Sequence, residues 1–484
     1  MPIIEFTLAC CMPMVRKNAM KHTKILCTIG PATHSTEIIH AMVDNGMNAA
    51  RINTSHGDFA QYRDMIERIR SVANIPIVMD TQGPKVRLRM NRHIHIEPGE
   101  SMKIGFSTAE EFYLDAPIFN ELQPGDQVVL DDGAFEAVID EKGEKFITLR
   151  FQNGGEVISG RAVNFPGKSL PLDPLTEKDH HTLAFAKEMQ IDFIALSFTR
   201  DKKDIEAAHQ HLAGSTVKII AKIENQQGID NFEDILDSAD GVMVARGDMG
   251  VELPIHEIPL VQKRLIKTCL TTDKLVITAT QMLQSMVDSP RPTRAEVSDV
   301  ANAILDGSDV VMLSGETSIG RYPVRAVRMM NRIAGSAEPH ISVKQRFSGS
   351  DVETSICSAV RELCTQAHVD KVISITRRGH TAKMLSRLRI KQPLLALTKR
   401  EEVFRELTLF FGVRPIYYPN IPDSLSTVEA GRFLFENGFI EKNDVVLFVS
   451  GEYHPHHPVT NTIQIHNVQD ILQYFDNNNG KETE

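Results

Sequence analysis

Residues 218–248 read KIIAKIENQQGIDNFEDILDSADGVMVARGD, two apolar β-branched runs joined by a more polar stretch. Each run, KIIAKIE at 218–224 and GVMVAR at 241–246, closes on a charged residue. Short continuous apolar runs are the mark of strands buried on both faces. The same pattern recurs as KILCTI at 24–29, AARIN at 49–53, PIVMD at 76–80, DFIALS at 192–197, KLVITAT at 274–280 and DVVMLS at 309–314. Most of these runs alternate with helical patterns, such as 59–72 and 258–270. Strand–helix units repeated eight times over about 250 residues predict a (β/α)8 TIM barrel of the α/β class.

Residues 81–191 separate the third and fourth runs, too long a stretch for a loop in a compact domain. Within it, alternating strand patterns and the turn signals Pro98-Gly99, Pro124-Gly125, Asp132-Gly133 and Asn153-Gly154 predict an inserted small β-barrel domain over 86–170. An insert at the C-terminal end of a barrel strand hangs over the mouth as a lid. From 341 the pattern changes again. Strand-like runs at 371–375, 393–397, 414–418 and 445–449 alternate with helices, which predicts a C-terminal α/β domain with a mostly parallel sheet. The expected division is an irregular segment 1–20, a barrel from 21–85 plus 171–340, the lid at 86–170, and the third domain at 341–484. Met14 or Met20 serves equally well as the start, and the tail DNNNGKETE is expected to fray.

The chain has 484 residues and a net charge of −10. An acidic chain lacks the basic face that displaces counterions from nucleic-acid phosphates, so no nucleic-acid partner is expected. No apolar run approaches the ~18–20 residues of a membrane span, and Glu5 stands where a signal peptide carries basic residues. Cys10, Cys11, Cys27, Cys269, Cys357 and Cys364 form no C-x-x-C pair and no dense cluster, which suits a reducing cytoplasm. Cys269 lies on an apolar stripe with Ile258, Val261 and Leu265 and reads as a core residue.

Barrel enzymes build their sites at the C-terminal ends of the strands. Those ends here carry Arg51, Asn53, Ser55, Asp80, Ser197, Lys222, Glu224, Arg246, Asp248, Thr280, Ser314 and Glu316. One charged strand end is a solvated boundary, whereas a ring of them is a site. Lys222 and Glu224 are two apart on a strand and face the same way. Glu224 and Asp248, from neighbouring strands, offer two carboxylates to one hard cation and leave places for substrate oxygens and water, the Mg2+ pattern. The alternative, a structural Lys222–Glu224 ion pair, loses ground once Arg246-Gly247-Asp248 is placed beside it. Gly247 lets backbone N–H groups approach a ligand carboxylate. Arg51, Asn53 and Ser55 share one face and suit a phosphoryl group or simple loop packing alike. Pro166-Gly167-Lys168-Ser169 resembles the end of a Walker A loop but has Ala162 where glycine is needed. His454, His456 and His457 read as an exposed Pro/His loop rather than a metal site.

Taken together, TKILCTIGPAT at 23–33, MNAARINTSHG at 47–57, 219–254 and 277–317 closely resemble pyruvate kinase, and the match runs from about residue 24 to 468. The resemblance implies phosphoenolpyruvate and ADP as substrates, pyruvate and ATP as products, and Mg2+ as cofactor with Mn2+ as a substitute. It places Lys222 on the transferring phosphoryl group and the enolate oxygen, with Arg51 on the phosphoryl group. It gives the metal to Glu224 and Asp248, and the substrate carboxylate to the Ala245, Arg246, Gly247 and Asp248 backbone and Thr280. Asn53, Ser55, His56, Arg87 and Arg161 would face the nucleotide. Thr280 and Ser314 would lie on the proton route to the enolate carbon. A cytoplasmic homotetramer is also implied.

Three departures stand out. Thr54 replaces the usual aromatic, Gln82 a usual lysine, and Lys85 the Glu of K+-dependent members. That Glu helps balance a K+ near Asn53, Ser55, Asp80 and Thr81, so the Lys85 ammonium is expected to stand in for K+, which would not be required. In the third domain, Thr376, Arg377, Arg378, Gly379 and Thr381 form the effector-phosphate candidate, with Arg378 where Ser is usual. A sugar phosphate, a sugar bisphosphate, AMP or no effector at all remain open. The rivals are a pyruvate-handling aldolase with a Schiff base on Lys222, and a catalytically silent metabolite sensor.

Overall fold

The structure is a computed structural model and describes residues 21–342, 351–421, 425–451 and 460–479. The irregular segment 1–20, the alternative starts Met14 and Met20, and His454, His456 and His457 lie outside the described residues.

Eight parallel strands close a barrel: β1 Lys24–Thr28, β2 Ala49–Asn53, β3 Ile77–Asp80, β4 Phe193–Leu196, β5 Lys218–Ile223, β6 Gly241–Ala245, β7 Leu275–Ala279 and β8 Val310–Leu313. Each pairs with its neighbour in sequence, and β1 closes on β8. The pleat sorts the side chains into two cores. Ile219, Ala221 and Ile223 of β5 join the cluster that includes the surrounding helices. Ile220 joins Leu26, Val78, Met243 and Ile277 in the other. Side chains alternate along a strand, so Lys222 and Glu224 continue the row of Ile220 into the mouth.

The insert is a second closed barrel of seven strands, running from Val86–Met90 to Ala162–Asn164, with Ile94–Ile96 and Gly155–Val157 paired beside it. It leaves the chain just after β3, which hangs it over the mouth. The third domain carries β9 Lys371–Ile375, β10 Leu394–Thr398, β11 Val413–Tyr417, β12 Val445–Ser450 and β13 Thr462–Asn467. They lie in the order β11-β10-β9-β12-β13, parallel except for β13, an antiparallel edge that the sequence reading did not pick out. Its TIQIHN sequence is partly to fully solvated along its length, so it lacks the apolar run that revealed the other strands.

The third domain docks on the opposite end of the barrel from the lid. Lys24 at the start of β1 donates to the Val413 carbonyl at 2.6 Å. Asp192 before β4 meets Arg405 at 2.6 Å, and Asp309 before β8 meets Arg389 at 2.8 Å. The four cysteines among the described residues are free, and Cys269 is buried as expected. No helix among the described residues is long and apolar enough to cross a membrane.

Candidate active site

The inward row of β5 meets the end of β3 at Lys222. Its Nζ lies 2.8 Å from Glu224 Oε1, 3.1 Å from Asp80 Oδ1 and 2.9 Å from Ser197 Oγ. Asp80 also takes the Arg51 guanidinium, whose Nε donates to Oδ2 at 2.7 Å, while Arg51 Nη1 reaches Thr28 Oγ1 at 3.0 Å. One buried carboxylate therefore holds two cations side by side. Burial would raise the Asp80 pKa, but Arg51 and Lys222 outweigh it and hold the carboxyl below its ordinary value. Burial would likewise lower Lys222, but Asp80, Glu224 and Asp248 push the ammonium above its usual range. Lys222 is a fixed positive charge.

Glu224 is fully buried. Its Oε2 accepts from the Phe198 N–H at 2.7 Å, while Oε1 has no hydrogen bond despite its closeness to Lys222. Burial pushes this carboxyl up to about 7, with Lys222 opposing the rise and Asp248 adding to it. Asp248 goes the other way: Lys222 and then Lys85 overcome its burial and keep it low. A fully buried carboxylate whose Oε1 has no aligned hydrogen bond, beside a second acid, fits a hard cation completed by substrate oxygens and water. No group of three or more His, Cys, Asp or Glu assembles among the described residues, so any such cation would have only these two carboxylates.

Asp248 sits in the first turn of helix Arg246–Glu252, which follows β6 directly. Gly247 N–H donates to Thr280 Oγ1 at 2.7 Å, and that hydroxyl donates to the Ala279 carbonyl at 2.6 Å. Thr280 has φ +68, a left-handed conformation that a β-branched residue adopts only under restraint. The restraint comes from Arg246. Its guanidinium turns away from the mouth, holds the Thr280 carbonyl at 2.7 Å, and pairs with both Asp299 oxygens at 2.7–2.8 Å. Arg246 thus offers the site its backbone and not its charge. Ser314, at the end of β8, has a buried hydroxyl with no partner, and its N–H is held by Glu316 Oε2 at 2.8 Å.

Asn53 lies at the rim, where its Oδ1 accepts from Ser55 N–H at 3.1 Å, with Ser55 and His56 exposed. The departure at Thr54 has a local explanation: its hydroxyl is buried and donates to the Asp80 carbonyl at 2.6 Å, tying β2 to β3. In the lid, Arg87 donates to the Gly160 carbonyl at 2.8 Å and Arg161 pairs with Asp131 at 3.2 Å. Lys85 points its ammonium at Asp248 Oδ1, 3.5 Å away, and over the Phe198 ring, 5.0 Å from the centroid. Both groups border a cleft of about 180 Å³ between lid and barrel, bridged where Asn164 donates to Glu252 at 2.8 Å.

Comparison with known proteins decides among the candidate readings. A family model described as "Pyruvate kinase, barrel domain" matches residues 20–327, and one described as "Pyruvate kinase, alpha/beta domain" matches 354–466. The chain is 39% identical over 481 residues to the pyruvate kinase of Sporosarcina psychrophila, covering 94% of this chain and 81% of that relative. It is 38% identical over 460 residues to the pyruvate kinase of Clostridium acetobutylicum, covering 89% of this chain and 96% of the relative. The chain belongs to the pyruvate kinase family. It is accordingly an enzyme, a phosphotransferase, and the barrel, lid and third domain are the architecture of pyruvate kinases.

Two residues of the site have partners that the sequence reading did not foresee: Asp80, there placed only beside K+, and Ser197, there only one of the strand ends. Asp80 and Ser197 stood in the ring of strand ends, and their register was the available signal: Asp80 pairs with Ala195 and Asn53 on the flanking strands. Asp299 had no signal, because it lies in helix Arg294–Asp306, far in sequence from Arg246. In the third domain, Thr376 Oγ1 accepts from Gly379 N–H at 3.0 Å and Thr381 Oγ1 meets Thr460 Oγ1 at 2.8 Å, so both hydroxyls of the effector-phosphate candidate are engaged. Arg377 is exposed, and Arg378 lines a cavity facing the barrel.

Proposed function

We propose that this site moves the phosphoryl group of phosphoenolpyruvate to ADP, giving pyruvate and ATP, with Lys222 as the central catalytic group. The observation that carries the reading is the Lys222 ammonium, kept charged and fixed at the barrel mouth by Asp80, Glu224 and Ser197, beside Arg51 on the same carboxylate. Phosphoryl transfer needs positioning and neutralisation of charge on the phosphoryl oxygens more than covalent chemistry. Lys222 and Arg51 supply that charge without reorganising, since Asp80 already orients both. The same ammonium stabilises the enolate oxygen as the P–O bond breaks. Glu224 and Asp248 would hold Mg2+, or Mn2+ in its place, and the bound ion supplies further neutralisation of the phosphoryl oxygens.

The Ala245 to Asp248 backbone and Thr280 take the substrate carboxylate, with the Arg246 side chain behind them as a positioning group. Asn53, Ser55, His56, Arg87 and Arg161 face the nucleotide. The Ser314 hydroxyl, which has no partner, is the better start of the proton route to the enolate carbon. Thr280 already donates its hydroxyl proton to a carbonyl. A Schiff-base aldolase is disfavoured because it needs a neutral amine, and the carboxylates around Lys222 hold it protonated.

The Lys85 ammonium supports a monovalent-cation role for this side chain, although the partner it has is Asp248 rather than Asn53, Ser55 or Thr81. Activity without K+ follows. Raising KCl at fixed ionic strength should change kcat/KM by less than about tenfold, or ~1.4 kcal/mol. Regulation of the third domain by a sugar phosphate or AMP, a homotetramer and a cytoplasmic setting belong to the same reading. The four free cysteines fit that setting, and exposed Ile255 and Leu260 offer apolar surface for self-association. The deciding experiment is pyruvate formation from phosphoenolpyruvate and ADP with Mg2+, read by coupled NADH oxidation, with and without K+. Turnover in both buffers is expected. Turnover only with K+ would remove the Lys85 argument, and none in either would overturn the kinase reading.

A further inference from the structure

Two connectors join the lid to the barrel, 81–85 on the way out and 165–176 on the way back. Both are held by one side chain. Asp179, buried in the first turn of helix Glu177–Glu188, accepts from Gln82 N–H at 2.8 Å on Oδ1 and from Gly83 N–H at 3.1 Å on Oδ2. The same Oδ2 accepts from Thr176 N–H at 3.0 Å and from the Thr176 hydroxyl at 2.7 Å. Capping that helix needs only the bonds to Thr176. Those to Gln82 and Gly83 span 97 and 96 residues of chain and close the two ends of the insert on each other. Every hydrogen bond this carboxylate accepts among the described residues comes from a connector, which is what makes its burial tolerable.

We propose that Asp179 is a positioning residue that staples the two connectors into one pivot, and so sets where lid-borne Arg87 and Arg161 meet the nucleotide. The inference rests on the nucleotide role given to those arginines above. The outgoing side of the staple is fixed to the barrel. Thr81 N–H donates to the Ala195 carbonyl at 3.0 Å, and the Ser197 hydroxyl donates to the Thr81 carbonyl at 2.7 Å. Gly83 has φ +68, and a Cβ there would fall 2.7 Å from the Phe198 ring, so the chain passes the pivot too closely for any other residue. Pro84, with its φ held by the ring, then leads stiffly into the first lid strand. With both connectors tied at one carboxylate the lid keeps one pivot. With the tie cut, its arginines spend less time in the arrangement that binds nucleotide, and affinity falls by that fraction. The groups assigned to phosphoenolpyruvate, Lys222, Arg51 and Thr280, belong to the barrel and do not depend on the pivot.

The test compares the unaltered full chain with Asp179→Asn, which keeps the shape and gives up one acceptor, and with Glu429→Gln, which weakens the equivalent Ser426 cap in the third domain. In Asp179→Asn, amide hydrogen exchange should quicken in 81–86 and 170–176 together. Calorimetric affinity for ADP with Mg2+ should fall about fivefold or more and KM for ADP should rise to match, while affinity for phosphoenolpyruvate stays within about twofold. Glu429→Gln should change none of these. Thr176→Val, a milder cut on the returning side, should weaken ADP by about threefold and spare phosphoenolpyruvate. Unchanged ADP affinity in either connector variant, quickened exchange in one connector only, or equal weakening of ADP and phosphoenolpyruvate would overturn the proposal. So would an unaltered chain that does not bind ADP. Absence of turnover in an unaltered chain that binds ADP would overturn the kinase reading alone, because exchange and binding are read without turnover.

Discussion

Asp80 is the side chain on which the site turns. Its burial next to Arg51 and Lys222 converts two long flexible cations into fixed charges, and fixed charges act on a developing anion without waiting to reorient. Lys222→Met removes the charge nearest the proposed phosphoryl and enolate oxygens and leaves Asp80 with Arg51. Turnover should fall by at least ~10³-fold, equivalent to ~4 kcal/mol of transition-state stabilisation. Steady-state assay with a circular dichroism check on folding would show it, and near-normal kcat in a folded variant would sink the assignment. Much of this was legible in the sequence, since Lys222, Glu224 and Asp80 are charges at the ends of apolar strands, where a core excludes them. That Lys222 and Arg51 share Asp80 was not, because β3 and β5 are separated by β4 and this contact is made between side chains inside the barrel rather than along the chain.

The elements that carry the site are held by the helix behind them. Helix Arg294–Asp306 begins with a reciprocal cap, in which Thr293 Oγ1 accepts from Glu296 N–H and Glu296 returns to Thr293 N–H, and it ends at Gly307 with φ 111. That helix presents Asp299 to Arg246, and Arg246 holds the Thr280 carbonyl in its left-handed turn. Removing one partner of a buried ion pair leaves a charge unsatisfied. With Asp299 40% exposed the loss falls short of the fully buried case, so Asp299→Ala should destabilise the chain by about 1–3 kcal/mol. It should also lower kcat, because the Thr280 turn relaxes towards unstrained backbone. Denaturant melts and steady-state kinetics on the same variant check both. A loss of stability with unchanged kcat would show that the turn keeps its geometry without Asp299 behind Arg246. Capping and helical periodicity were readable from the sequence, but the reach of Asp299 to Arg246 was not, since no local pattern encodes it.

Across the whole molecule, the lid and the third domain occupy opposite ends of one barrel, and the contacts at the two ends differ in kind. The lid meets the barrel over a cleft bridged by neutral-donor contacts such as Asn164–Glu252, whereas the third domain is pinned by buried ion pairs such as Arg389–Asp309. One bridge at that interface pairs a histidine with two carboxylates. His380 lies 3.4 Å from Asp273 of the barrel and 3.1 Å from Glu353, which in turn accepts from Thr460 N–H at 3.0 Å. The Asp273 hydrogen bond raises the His380 pKa, and His380 lowers Asp273 to about 2. The histidine contribution is complete below its unfolded value of about 6.5 and is lost as pH rises through its raised folded value. The aspartate contribution is complete above about 4 and is lost as pH falls towards its lowered value. The midpoint difference between the native chain and His380→Gln should therefore be largest near pH 5–6 and shrink towards pH 8. A difference independent of pH would show that His380 acts by packing alone.

The runs KIIAKIE and GVMVAR, repeated in kind eight times, were enough to settle the barrel, because a parallel strand buried on both faces has no choice but to be apolar until its end. Periodicity and the length between runs likewise announced the inserted domain and the third. What local sequence does not carry is which charges meet. The placing of Asp80 between Arg51 and Lys222, of Asp299 behind Arg246, and of Arg378 in the interdomain cavity each depends on strands and helices brought together by closure and docking. Apolar burial acts on every residue of a run and so leaves a pattern in it. A hydrogen bond between residues far apart in sequence acts on two atoms, and only the folded geometry brings them within reach.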